Sequence, residues 1–407
     1  MRFYYKKYTL CIGLIFLLGD IAFSQITNNG NIITIQNNAT LFVDGNFSNL
    51  SGSIYNYGNL SLKGNWVNND NTGAFNALSN GNVNFLGANQ TIGGTQQTNF
   101  PSVYLAGTGI KKLLINATIK GILDLTDREF ALEDRTLNFT NTQTNGILLN
   151  GGIISTDFEG ILNRSTKSIN PYLFPLGSKS TGSLRYRPLY LTVKDSLSNV
   201  FGATFLNRNP SNYGYSTSSK RHDVDEVNQL YFHILNQPTG ESFADFKFYY
   251  DHVNDGDFNQ LVNWIKFNMW EKAGIAFPKV DSTFKLTNPE LTYKMTYSSI
   301  KKITELPMAF SYIQANNDPI TFFNTFSPDG DGTNDRWEIK NIDLFPNNQL
   351  TIMNRWGSEV FQAKGYTNAN AWDGGRLNNG TYYYLLRVNI NGEDKVYKGF
   401  LTRLGND

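Results

Sequence analysis

The chain contains one cysteine, Cys11, and it falls within the first 24 residues. Those residues read as a secretory leader. Arg2, Lys6 and Lys7 give a positive start, 10–18 form an apolar run, and Ala22-Phe23-Ser24 supply a small-residue cleavage pattern. The run is far short of the roughly 20 residues a membrane-spanning helix needs, and no other stretch is apolar enough to span. Removal of the leader leaves a chain without thiols, which excludes disulfides, cysteine metal sites and a cysteine nucleophile. An exported chain of this kind must be held by packing, hydrogen bonds or bound ions.

Charge is also sparse. Lysine and arginine number 35 against 34 acids, a net charge of +1, and only 17% of residues are charged. Such a chain has no global field to recruit nucleic acid or an anionic membrane. Histidine is scarcer still: His222, His233 and His252 show no metal-ligand spacing, and no Gly-x-Ser-x-Gly, HExxH, Walker or dinucleotide fingerprint occurs. The acid pair Asp255 and Asp257 has the residue types of a glycosidase. Its setting, Asn254-Asp255-Gly256-Asp257, reads first as a turn. The expectation is a protein that is not an enzyme; the alternatives are a polysaccharide-binding or polysaccharide-cleaving surface enzyme, or a structural adaptor for another surface protein.

Aromatic residues are plentiful, 29 Phe, 22 Tyr and 6 Trp, set among Asn, Gly, Ser and Thr. Aromatic and β-branched runs broken by turn residues indicate an all-β chain. After the leader (1–24), residues 25–157 carry a loose repeat. Leu41-x-Val43-x-Gly45-Asn46-Phe47 returns 19 residues later as Leu60-x-Leu62-x-Gly64-Asn65-Trp66, with weaker copies at Val83-x-Phe85-x-Gly87 and Val103-x-Leu105-x-Gly107. Each copy reads as a short strand ended by a glycine whose freedom at positive φ lets the chain corner. Units this short bury an apolar face only by stacking, so the expectation is a β-solenoid-like module, with a two-sheet sandwich as the competing arrangement. Connectors such as Asn68-Asn69-Asp70-Asn71 suit turns or stacked asparagine ladders.

Residues 158–316 read as a β-sandwich module, with strand-like runs at Tyr231 to Leu235, Phe246 to Tyr250 and Trp264 to Trp270. A polar stretch ending at Pro319 marks a boundary. In 317–407 the alternation of Tyr382, Tyr384, Leu386, Val388 and Ile390, the Asn391-Gly392 hairpin turn and a second turn at Asn354-Arg355-Trp356-Gly357 predict a small Ig-like β-sandwich. Asp195-Ser196-Leu197 resembles a short O-glycosylation motif.

The stretch Phe326 to Trp337 carries the densest chemistry. Written as a twelve-position calcium loop, Ser327, Asp329, Asp331, Gly332, Asp335 and Glu338 occupy positions 1, 3, 5, 6, 9 and 12, with serine in place of the first aspartate. Alternate carboxylates on a curled loop converge on one hard cation. The competing reading is a turn whose Asp and Asn side chains satisfy backbone amides. Trp337, Trp356, Trp372 and Tyr382 to Tyr384 have the residue types of a sugar-binding platform, but most of them read first as core filling, with Trp372-Asp373-Gly374, in a loop, as the best candidate for an exposed surface.

These residues, with Asn354-Arg355-Trp356-Gly357, Val360-Phe361, Trp372-Asp373-Gly374 and Gly380-Thr381-Tyr382-Tyr383-Tyr384 in order behind them, resemble the gliding-motility-associated C-terminal domain of Bacteroidota secreted proteins. Asp329 stands where that family commonly has asparagine, and Asn378-Asn379 where it commonly has Leu-Pro. The resemblance implies a type B sorting domain of the type IX secretion system, a PorP/SprF-like outer-membrane barrel protein as partner, and a location at the cell surface, outer-membrane associated or extracellular. It makes Asp329, Asp331, Asn334, Asp335, Asn354, Arg355, Trp356, Gly357, Trp372 and Asp373 the candidate contacts. It further implies a gliding or adhesion role, with an extracellular glycan or surface as a target. Calcium is the one cofactor the sequence suggests.

Overall fold

A computed structural model describes residues 25–221, 223–265, 268–273, 279–280, 293–312, 320–390 and 393–405. The leader, Cys11, His222, the polar stretch 313–319 and the Asn391-Gly392 turn lie outside these residues. Two compact units divide the chain, Met1–Ile313 and Gln314–Asp407.

The first unit begins as a β-solenoid of about seven turns. One face stacks seven parallel strands in chain order, from Ile26–Asn29 and Phe47–Ser51 through to Ile153–Ser155. A second face stacks six, from Thr40–Val43 to Ile147–Leu148. The third starts with Ile33–Ile35 and Ile54–Asn56, bridges to Phe75, and resumes at Thr98–Phe100. The four repeat copies lie in register on the second face: Leu41 pairs with Leu60, Leu60 with Val83, and Val83 with Val103. Inward residues fill the coil, where Phe47 stacks on Trp66 at 5.0 Å and Trp66 on Phe75 at 5.3 Å.

Asparagine does build a ladder. The Asn28 amide donates to the Asn49 side chain at 2.9 Å and Asn49 to Asn68 at 3.1 Å, all three buried. Each buried amide is thereby satisfied by the next coil, as a buried polar column requires. The corner glycines work differently from the sequence expectation. Of Gly45, Gly64, Gly87 and Gly107, only Gly107 has positive φ. Gly64 and Gly87 are needed because coils touch: an added Cβ would sit 2.2 Å from the carbonyl carbon of Gly45 and 2.0 Å from the carbonyl oxygen of Lys63.

The third face does not stop with the solenoid. Its last strand, Ile161–Thr166, pairs antiparallel with Asn199–Leu206, and the sheet continues through Phe232–Thr239, Leu306–Tyr312, Gln260–Ile265 and Met269–Lys272. A second antiparallel sheet packs over this extension, with Phe201 against Phe246 and Tyr250 against Phe310. Arg164 closes the last coil, its guanidinium over the rings of Phe139 and Tyr172. Burial lowers this arginine to about 9. The run Trp264 to Trp270 is not one strand. Gln260–Ile265 turns back into Met269–Lys272, so that Trp264 pairs with Trp270. Asn268, at φ 54°, supplies the left-handed turn without a glycine to announce it.

In the second unit the opening segment switches sheets. Thr321–Phe322 pairs antiparallel with Ile339–Lys340, and Thr325–Phe326 then runs parallel to the end of Glu393–Arg403. The main sheet follows the order Thr325–Phe326, Glu393–Arg403, Gly380–Ile390, Asn348–Met353, Glu359–Lys364. Tyr382, Tyr384, Leu386, Val388 and Ile390 all face the core, as the alternation predicts. Ile390 pairs with Glu393 at the end of this ladder. Burying a large aliphatic side chain contributes about 1.5–3 kcal/mol, and a turn hydrogen bond nearer 1 kcal/mol. The buried faces of the strands therefore contribute more to the fold than the hydrogen bonds of the turns.

Candidate functional site

The ends of the strands fix where the motif loops go. Met353 pairs with Tyr383, Gly380 with Arg403, and Phe326 with Arg403. The segments that follow Phe326 and Met353 and the one that precedes Gly380 consequently leave the same end of the sheet. Three motifs, separated by long stretches of chain, meet there.

The aspartate loop is closed by its own side chains. Asp335 accepts from the amides of Gly330 at 2.7 Å and Gly332 at 2.9 Å, one through each carboxylate oxygen. Asp329 accepts from the Asp331 amide and Asp331 from that of Thr333. Gly330, Gly332 and Asn334 hold positive φ, and the Asn334 carbonyl accepts from the Ser327 amide. Asp329, Asp331 and Asp335 each place a carboxylate oxygen within 4.8 Å of the other two, and among the described residues no other group of His, Cys, Asp or Glu gathers this closely. Glu338 does not join them, and Ser327 is tied into the loop through its backbone. The three aspartates form a donor set suited to a hard cation. They are also the residues that satisfy the loop's amides.

The Asn354-Arg355-Trp356-Gly357 turn is similarly self-contained. Asn354 accepts from the amides of Trp356 and Ser358, Gly357 donates back to the Asn354 carbonyl, and φ at Gly357 is 83°. The turn leaves Trp356 79% exposed, with the Arg355 guanidinium 5.2 Å from its ring.

Trp372 corrects the sequence reading. It is only 5% exposed, packed on Phe326, Phe361 and Tyr382. It points inward because residue 372 makes an antiparallel bridge to Trp337, whose indole donates to the Phe323 carbonyl at 2.6 Å. Asp373 is the exposed member of that motif, and its carboxylate accepts from the Gly375 amide.

Two features have no counterpart in the motif reading. The Tyr366 hydroxyl donates to the Trp337 carbonyl and accepts from the Trp372 amide, and burial raises this phenol to about 12. On the outer face of the sheet, a shallow groove of about 560 Å³ is lined by Met353, Tyr383, Leu385, Lys398 and Phe400. Period-two alternation was a sufficient signal for Tyr383, which lies between buried Tyr382 and Tyr384. Nothing in one dimension marks Tyr366.

In the first unit, Asp255 and Asp257 take different partners. Asp255 is buried, accepting from the Arg187 guanidinium and from the Tyr231 hydroxyl at 2.7 Å. Asp257 lies at the surface, 2.8 Å from His252 Nδ1. His233 is enclosed beside Arg187, and desolvation lowers it to about 4, so it is neutral at pH 7. Ser196 is exposed in a turn where Asp195 accepts from the Leu197 amide.

Residues 320–402 match the CHU_C Type IX secretion signal domain. No curated protein and no solved structure matches the chain. The second unit is thus the sorting signal of a Bacteroidota type IX secretion substrate, and the chain is exported to the cell surface or the extracellular space.

Proposed function

We propose that this type IX substrate is a non-enzymatic surface protein serving gliding or adhesion, in which the solenoid and sandwich are cargo displayed by the C-terminal unit. The leader takes the chain to the periplasm. The C-terminal unit then engages the outer-membrane translocon and a PorP/SprF-like barrel protein. One observation carries the reading: three motif loops leave the same end of the sheet, and one of them holds Trp356 out in solvent. A large aromatic left in solvent beside an arginine is the composition of a binding hot spot rather than of a fold determinant.

Deleting 317–407 should leave the rest of the chain in the periplasm. Pull-down from outer membranes with the intact chain should recover the barrel protein, and with Trp356→Ala should not. If the truncated chain still reached the surface, the sorting role would fall. If Trp356→Ala recovered the barrel undiminished, the loop end would not be the contact.

A further inference from the structure

We propose that the first coil of the solenoid is a self-association surface, on which two mature chains stack head to head. The inference starts from the strands Ile26–Asn29, Ile33–Ile35 and Thr40–Val43. Each stands at the end of its sheet, paired with the following coil and with nothing on its other side among the described residues. Three open edges therefore face the same way once the leader is cut before Gln25.

The side chains match the backbone. Ile26, Ile33 and Leu41 point into the coil but remain partly exposed, whereas their register partners Phe47, Ile54 and Leu60 are fully buried. The difference is the missing neighbour. Terminal repeats of stacked folds usually carry a polar cap, and open edges usually carry lysine, proline or bulges that repel pairing. Here residues 25–43 contain no ionisable side chain, and between Gln25 and Leu62 the only charge is Asp44. At the far end one face runs on into the sandwich sheet and Ile154 bridges to Leu176, so of the three faces there only the one ending at Ile147–Leu148 lacks a further partner among the described residues, whereas at the first coil all three do.

This neutrality selects the partner. A charged surface would be desolvated against the first coil with nothing to pair it. A second copy brings the same isoleucine, threonine and asparagine face. Turned over by a two-fold axis, its strands run opposite to the first set, so the new ladders are antiparallel. Asn28 does not obstruct them: its amide is spent on Asn49 and on the Asn31 carbonyl, and its carbonyl oxygen accepts from the Asn31 amide.

The test uses the mature chain, residues 25–407, in sedimentation velocity over a range of concentrations. Wild type is expected to form a dimer, and the double variant Thr27→Lys, Thr34→Lys to lose it while keeping its melting temperature. A wild type that stays monomeric overturns the proposal, and so does a dimer that survives both lysines. A second measurement exploits the absence of thiols. A two-fold axis makes one of the three edge strands meet its own copy, so one of Thr27→Cys, Thr34→Cys and Thr40→Cys should cross-link on oxidation. Lys120→Cys, on a later coil, should not. No cross-link at the three positions, or an equal one at Lys120→Cys, overturns head-to-head stacking even if the lysine variant fails to fold.

Discussion

Trp337 and Trp372 face each other across an isolated antiparallel bridge, the Trp337 amide donating to the Trp372 carbonyl at 2.8 Å. The Tyr366 hydroxyl is joined to the backbone of both. One phenol thus ties the strand after the aspartate loop to the Trp372-Asp373-Gly374 loop.

Tyr366→Phe removes that tie and leaves a buried amide and carbonyl short of a partner. The expected cost is about 1–3 kcal/mol, read as a lower denaturant midpoint for tryptophan fluorescence of the C-terminal unit. An unchanged midpoint would mean that water replaces the hydroxyl.

Trp356→Ala should behave in the opposite way. The side chain packs on no core residue, so stability should stay within about 0.5 kcal/mol of wild type. Surface delivery, measured by protease accessibility on intact cells, should drop. Loss of stability with normal delivery would reverse the assignment.

For the aspartate loop, Asp335→Ala frees two amides and should cost about 1 kcal/mol, more than Asp329→Ala, which frees one. Melting midpoints in calcium and in chelator are expected to coincide, because the carboxylates already close the loop. A higher midpoint in calcium that disappears in Asp331→Asn would instead assign Asp329, Asp331 and Asp335 to a cation.

His233 makes the first unit sensitive to acid. Its folded value, about 4, lies below the 6.5 of an unfolded histidine. Between those values only the unfolded chain binds the proton. The stability contribution is complete above pH 6.5 and is lost as pH falls toward 4, at about 1.4 kcal/mol per pH unit or less. His233→Gln, which keeps a hydrogen-bond donor for the Arg187 carbonyl, should flatten that part of the stability profile. A profile parallel to wild type would show that His233 takes up no proton on unfolding.

The all-β class, the stacked coils and the inward face of Gly380–Ile390 were legible because period two and turn residues are local signals. Leu41, Leu60, Val83 and Val103 repeat at a spacing the eye can follow, and stacking them is the way such short units bury apolar area. The misreadings share a cause. Trp264 to Trp270 hides a hairpin because asparagine, not glycine, takes the left-handed turn. Trp372 looked exposed beside Asp373-Gly374 because its partner Trp337 lies far back in the chain. Asp255 meets Arg187 across a separation of 68 residues, and no spacing rule reaches that far. At the candidate site, the loops were named correctly as motifs. Their convergence on one end of the sheet depends on strand order, which only the fold supplies.

The sheet that runs unbroken from Thr98–Phe100 to Met269–Lys272 has a mechanical consequence. Solenoid and sandwich share one continuous hydrogen-bonded sheet, with no linker at the join to yield first. Tension applied between the first coil and the sandwich would load that sheet across its strands, peeling neighbours apart, rather than swinging two bodies about a hinge. Solenoid and sandwich should therefore respond to force as one stiff body.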